Sequence, residues 1–403
     1  MHPKTVRVLL LEQIHPDAIE LLQSHGFEVT SANRAFDEDE LVEAIADVHL
    51  LGIRSKTQVT ERVLAAAPNL LAIGAFCIGT NQIDLVSATS HGVTVFNAPF
   101  SNTRSVVELA IAELIALTRR LSEKNALLHA GVWDKSAEGA HEVRGRTLGI
   151  VGYGNIGTQL SVLAENLGMR VLFYDTSDKL ALGNAQRSAS LKELLHDADV
   201  VTLHVDGRPE NKNIFGEAEF AAMRDGSIFL NLSRGFVVDY AALRSHIESG
   251  HIVGAAVDVF PVEPKGRGDE FVSELRGLPN VILTPHIGGS TEEAQQDIGQ
   301  FVTNKFLSFV AEGSTALSVN LPGLDLPRRE GTLRMVHLHR NVPGVLARIN
   351  GLLAEHQVNV EAQLLGTRGE LGYVVTDSAS GVTQAIVDEI RAMPETIRLR
   401  VVF

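Results

Sequence analysis

The chain has 403 residues, 45% hydrophobic and 21% charged, a globular composition too long for one ordinary core and unlike disordered or fibrous classes. A formal net charge of −14 denies it the concentrated cationic face that nucleic acid or an anionic membrane requires, so any anionic ligand must be held by a local cluster. One cysteine, Cys77, excludes an intrachain disulfide and a Cys-rich metal site. No apolar run reaches the roughly 18 residues of a membrane span, and the expected setting is the cytoplasm, without metal, membrane or nucleic-acid partners.

Short apolar runs at 6–11, 27–31, 49–53, 70–75 and 94–96 read as strands, with amphipathic helices at 17–25 and 38–46, an order that implies a parallel sheet. One long helix is expected over 105–130, opened by Ser101, Asn102 or Thr103 and closed by Gly131. A second series of strands follows at 147–151, 170–174, 200–204, 227–231, 253–258 and 281–284, with helices between them. Residues 292–312 form a helix long enough to return to the first unit, which makes the amino-terminal domain discontinuous. The stretch 321–329, with Pro322, Gly323, Pro327 and two arginines, reads as a linker. From 332 onward the order is βαββαβ, with strands at 332–339, 358–365, 373–376 and 397–402 and helices at 344–356 and 382–393, which suggests a ferredoxin-like module. The expected fold is α/β. It has two Rossmann-like, doubly wound parallel-sheet domains, 1–98 with 289–325 and 99–288, plus a ferredoxin-like domain at 332–403.

Directly after the strand at 147–151 stands Gly152-Tyr153-Gly154-Asn155-Ile156-Gly157, followed at once by a helical pattern. Its glycines serve a tight turn, close approach of backbone N–H groups to a pyrophosphate, and packing of helix on strand. Asp175, 18 residues beyond Gly157, stands where an acidic side chain meets ribose hydroxyls. A carboxylate there repels a 2′-phosphate, so NAD is expected rather than NADP.

Oxidising a hydroxyl by hydride loss needs a base for its proton and, for an acid substrate, a cation for the carboxylate. Arg234, Glu263 and His286 each follow a strand of the second unit, at the carboxyl edge where open α/β sheets bind ligands. Taken singly, each could be a solvated loop charge or a cap. Three at one edge beside a dinucleotide loop form a constellation.

Asn231-Leu232-Ser233-Arg234-Gly235, Asp258-Val259-Phe260-Pro261-Val262-Glu263-Pro264 and Thr284-Pro285-His286-Ile287-Gly288-Gly289-Ser290-Thr291 resemble the signature segments of the D-2-hydroxyacid dehydrogenases, nearest to phosphoglycerate-oxidising members that end in an ACT domain. The resemblance implies that Arg234 binds the substrate carboxylate, that His286 exchanges the proton and that Glu263 stabilises its imidazolium. It implies an NAD-contacting set of Gly152, Gly154, Asn155, Ile156, Gly157, Asp175, Leu232, Ser233, Arg234, Asp258, His286, Gly288 and Gly289.

A phosphorylated acid needs further cations, for which Arg54, Ser55 and Lys56 after the strand at 49–53 are candidates, with Asn102 and Lys135 as additional donors. Lys56 stands where family members carry Arg, which keeps the charge and loses a bidentate fork. The implied reaction is oxidation of D-3-phosphoglycerate to 3-phosphohydroxypyruvate, with side reduction of 2-ketoglutarate open. Trp133 resembles an aromatic that inserts into a neighbouring subunit, a core tryptophan being the alternative.

His339-Arg340-Asn341-Val342-Pro343-Gly344-Val345-Leu346 and Val358-Asn359-Val360 resemble an ACT domain. His339, Asn341 and Asn359 are the implied contacts for L-serine as a feedback effector, with a homotetramer as the assembly. Two other readings stay open: a glyoxylate or hydroxypyruvate reductase, which needs neither the phosphate cations nor an ACT domain, and an NAD-sensing, corepressor-like binding protein.

Overall fold

The computed structural model describes residues 5–264, 268–379 and 381–402; the outermost residues of the expected first and last domains fall outside these. The chain divides into two compact units, 1–101 with 295–403, and 102–294.

In the first unit, β1 (Arg7–Leu10), β2 (Glu28–Ser31), β3 (Leu50–Ile53), β4 (Ala72–Ala75) and β5 (Thr94–Asn97) form a parallel sheet of order β2-β1-β3-β4-β5. Its central strands are apolar on both faces because both faces are covered. Val8 and Leu10 pack with Ile298, Val302, Phe306 and Phe309 of the helix Glu292–Glu312, whereas Leu9 and Leu51 pack with Leu41, Ile45 and Val63 on the other side. At Gly74 that long helix comes so close that a Cβ would lie 2.5 Å from Val302.

The second unit holds β6 (Thr147–Val151), β7 (Arg170–Tyr174), β8 (Gln186–Arg187), β9 (Val200–Leu203), β10 (Ser227–Asn231), β11 (Ile252–Val257) and β12 (Val281–Leu283). They pair in parallel in the order β12-β11-β10-β9-β6-β7-β8. Strand order reverses between β6 and β9. Chain connections diverge there and leave a crevice at the carboxyl ends.

The long helix expected over 105–130 is two helices, Thr103–Thr118 and Leu121–His129, broken at Arg120, whose φ is +52°. No glycine or proline marks the break. The two differ in packing: the first helix buries Val106, Val107, Ala110, Leu114 and Leu117 against the sheet, while the second has no buried residue.

In the carboxy-terminal segment, β13 (Leu333–Arg340), β14 (Val360–Arg368), β15 (Leu371–Ser378) and β16 (Thr396–Val402) form an antiparallel sheet of order β14-β15-β13-β16. Helices Val345–Glu355 and Gln384–Arg391 cover one face through Ile349, Leu353, Ile386 and Ile390. The stretch expected to be a linker covers the other: Leu321 and Leu324 pack with Val336, Leu338, Tyr373 and Val375. Burial of its leucines outweighs the loop signal of its prolines and glycine.

Candidate active site

The turn after β6 shows why three glycines are needed. Gly152 has a φ of +92°, and a Cβ on it would lie 2.5 Å from the carbonyl oxygen of His204. A Cβ on Gly157 would lie 2.3 Å from the carbonyl oxygen of Gly152, so helix and strand touch there. Gly154, by contrast, has nothing within 4 Å of a Cβ position and precedes the helix Asn155–Asn166. An open face of backbone at a helix N-terminus fits a pyrophosphate. Asn155 opens that helix, and Ile156 packs into the core beneath it.

Asp175, at the end of β7, accepts from the Tyr153 N–H at 2.9 Å and from the Ser177 N–H and hydroxyl at 2.9 and 2.8 Å. Partial burial would raise its carboxyl, but those backbone and hydroxyl donors hold it below the ordinary range. It stays anionic, as ribose recognition requires.

His286 and Glu263, 23 positions apart in sequence, meet: the carboxylate lies 2.9 Å from Nδ1, which leaves Nε2 for a substrate. The Glu263 hydrogen bond raises His286 above the ordinary imidazole value against the opposing effect of burial. Burial would raise Glu263, but the bond to His286 and its charge hold the carboxyl below its usual value. Arg234 acts electrostatically on both, and its Nη1 donates to the Ser233 carbonyl at 2.7 Å. An imidazole, its carboxylate and a guanidinium are thus assembled at one sheet edge.

Backbone contacts hold this arrangement. At Gly235 a Cβ would lie 2.0 Å from the carbonyl carbon of Phe260, so the loops after β10 and β11 are in direct contact. Buried Asn231 accepts from the Ser233 N–H and hydroxyl and donates to the Arg234 carbonyl and to Tyr240, whose hydroxyl donates to Val259. Asp258, expected among the cofactor contacts, has its carboxylate engaged by the Thr284 hydroxyl at 2.6 Å and the Ile287 and Gly288 N–H groups at 2.8 Å. It therefore anchors the turn that carries His286. Leu232 and Ser233, expected among the cofactor contacts, are buried.

Sequence reasoning missed Glu113. It is 3% exposed on the helix Thr103–Thr118, and among the described residues its carboxyl oxygens make no hydrogen bond of ordinary geometry. Burial, with the charge of Asp258 nearby, pushes it up to about 8. A lone glutamate among Ala, Leu and Ile on a buried helix face was the available signal.

Of the expected phosphate ligands, Arg54, Ser55 and Lys56 share one turn after β3 in the first unit, while Asn102 and Lys135 belong to the second. Asn102 packs against Gly289, where a Cβ would lie 2.3 Å from its amide nitrogen, and its buried Oδ1 has no hydrogen-bond partner among the described residues. Lys135 is exposed. His339 is buried near the end of β13 with Nδ1 2.9 Å from the Arg340 carbonyl, and Asn341 donates to the Gly369 carbonyl. Asn359 precedes Val360, which pairs with Ser378, whereas His339 pairs with Gly372. Along β15 that is a separation of about 20 Å. One copy of the chain does not bring the three effector candidates together.

Residues 111–288 match the family described as D-isomer specific 2-hydroxyacid dehydrogenase, NAD binding domain, and residues 335–398 match the AHAS small subunit-like ACT domain. D-3-phosphoglycerate dehydrogenase of Haemophilus influenzae is 49% identical over 99% of this chain and 97% of its own length. The chain belongs to the D-3-phosphoglycerate dehydrogenase family. The family enzyme of Dictyostelium discoideum is 48% identical over the same shares. Among solved structures, D-lactate dehydrogenase from Aquifex aeolicus, complexed with NAD and lactic acid, superimposes with a TM-score of 0.68 at 26% identity, over 78% of this chain and all of that one. The fold is that of the D-2-hydroxyacid dehydrogenases with an ACT domain appended, and the cofactor is NAD. No described helix is long and apolar enough to cross a membrane.

Proposed function

We propose that this family member oxidises D-3-phosphoglycerate to 3-phosphohydroxypyruvate, the first step toward L-serine. The observation that carries the reading is near-half identity over the full length with relatives bearing that name, together with the His286–Glu263 pair beside Arg234. Bound NAD supplies the hydride acceptor. Arg234 holds the substrate carboxylate and draws charge from the C2 oxygen by charge-assisted bonds. Nε2 of His286 takes the C2 hydroxyl proton, and Glu263, fixed on Nδ1, selects the tautomer and stabilises the imidazolium. Arg54, Ser55 and Lys56 hold the phosphate.

The test compares NADH oxidation with 3-phosphohydroxypyruvate and with unphosphorylated hydroxypyruvate at matched salt. A strong preference for the phosphorylated acid is expected; equal efficiencies would make this a general 2-hydroxyacid reductase. His286→Ala should lower kcat by about 10²–10⁴-fold with NADH affinity retained, and unchanged turnover would overturn its role.

L-serine is the proposed effector, bound between His339 and Asn341 of one copy and Asn359 of another, since the ACT sheet of one chain keeps them apart. Absence of both serine binding and inhibition would rule this out. The proposed assembly is a cytoplasmic homotetramer, for which the exposed Leu121, Leu128, Val132 and Trp133 supply an apolar surface.

A further inference from the structure

The turn proposed to hold the phosphate is itself held by an acid. Glu12, just past β1 and 8% exposed, accepts from the N–H groups of Arg54 at 3.1 Å and Thr57 at 2.8 Å on Oε1, and from that of Lys56 at 3.0 Å on Oε2. Gln82 grips the same turn from its carbonyl side, donating to Arg54 O at 2.6 Å. Among the described residues the remaining amide, that of Ser55, has no acceptor, and Ser55 and Lys56 are exposed.

Glu12 and Gln13 reach this position with φ of +66° and +55°. Two consecutive residues with side chains in the left-handed region cost on the order of 1 kcal/mol each or more. Such a conformation persists only where surrounding bonds over-determine it, and three converging N–H donors do so here. A neutral amide could not replace the carboxylate: glutamine at 12 would set an NH₂ against the Lys56 N–H, where Glu12 presents an oxygen. With three amides turned inward to Glu12, a phosphate at this turn is left the Ser55 N–H and hydroxyl and the side chains of Arg54 and Lys56.

We propose that Glu12 is a positioning residue for phosphate selectivity: by fixing the backbone of the 54–57 turn it presents Arg54, Ser55 and Lys56 to the phosphate of the substrate without touching that substrate. The inference rests on the proposed preference for a phosphorylated acid. It assigns Glu12 no part in hydride or proton transfer, so its effect belongs in KM for the phosphorylated acid.

The experiment measures kcat and KM of wild type and Glu12→Gln for 3-phosphohydroxypyruvate and for hydroxypyruvate, with NADH affinity and thermal unfolding measured on the same preparations. In Glu12→Gln, KM for the phosphorylated acid is expected to rise about 10-fold, with kcat, both hydroxypyruvate constants and NADH affinity within about twofold. Glu12→Asp keeps the charge but retracts it by one methylene, and is expected to raise the same KM by a smaller factor. It carries the test if the Gln variant does not accumulate folded. Equal losses on both acids, or an unchanged KM for the phosphorylated one in a folded variant, overturn the role of Glu12 alone. A wild type without preference for the phosphorylated acid overturns the substrate reading and this inference with it.

Discussion

His286 holds its imidazole from a backbone φ of +54°, a conformation that costs a residue with a Cβ about 1–3 kcal/mol and that the surrounding turn must enforce. The enforcing group is Asp258, whose carboxylate binds the residues on either side. Glu263 raises the His286 pKa, so the imidazolium is favoured. Glu263→Gln removes that charge and lowers the pKa. Because oxidation needs the neutral imidazole, the acid limb of its kcat/KM profile should move to lower pH, as should the alkaline limb for reduction, with about a tenfold loss at the optimum. A profile unmoved in both directions would mean that Glu263 does not control the proton. Glu113 makes a prediction about stability. Its folded-state pKa, about 8, lies above the ordinary 4.5, so its contribution is fully present below pH 4.5 and is lost as pH rises through 8. Glu113→Gln, neutral at every pH, should match wild type below pH 4.5 and gain on it as pH rises, by about 2 kcal/mol near pH 6 and about 4–5 kcal/mol near pH 9 in denaturant unfolding. Parallel stability curves would show that Glu113 is ionised in the fold.

At the scale of elements, the chemistry depends on two loops pressed together without side chains between them. The contact of Gly235 with Phe260 fixes Arg234 relative to the segment that ends in Glu263, and Asn231 and Tyr240 tie the same loops by hydrogen bonds. Gly235→Ala forces a Cβ into a carbonyl and should separate them. The expected outcome is a stability loss of about 1–3 kcal/mol with a fall in kcat/KM well beyond what that loss explains, read by denaturant unfolding and steady-state kinetics. Activity falling only in step with the folded fraction would assign Gly235 to packing. The element boundaries at this edge were legible because each strand is a short, largely apolar run closed by a glycine or a polar residue: β6, β7 and β10 have the bounds that the pattern sets. The break at Arg120 was not legible, because no local breaker marks it: the helix before it buries an apolar face and the next buries none.

In the molecule as a whole, the ACT segment is joined to the rest of the first unit by a buried charge. Arg334 and Asp377 are both fully buried, and the guanidinium also donates to the carbonyls of Glu312, Leu326 and Pro327. One side chain thus satisfies an acid, the carboxyl end of the helix Glu292–Glu312 and the strap that leads into the module. Arg334→Met leaves Asp377 buried and unpaired and should cost about 3–5 kcal/mol of unfolding free energy. Adding Asp377→Leu should recover only part of it, since three carbonyls stay without donors. Full recovery would mean that the ion pair, and not the junction, is what Arg334 serves.

By itself the sequence determined what is local. The period of its apolar residues set the strands and helices, the glycine spacing marked the dinucleotide turn, and Arg234, Glu263 and His286 could be placed at one edge because every parallel strand ends on the same side. What required the tertiary structure was every relation between distant side chains. Composition and spacing cannot say which acid meets which donor, so the anchoring of the His286 turn by Asp258 could not be read from them, and Glu12 and Glu113 drew no notice. The strap at 321–329 shows the same limit: its prolines act on the backbone locally, but its leucines are buried by a sheet that forms from residues that follow it in the chain. A carboxylate acquires its role from the donors that fold around it, and those donors are adjacent only in three dimensions.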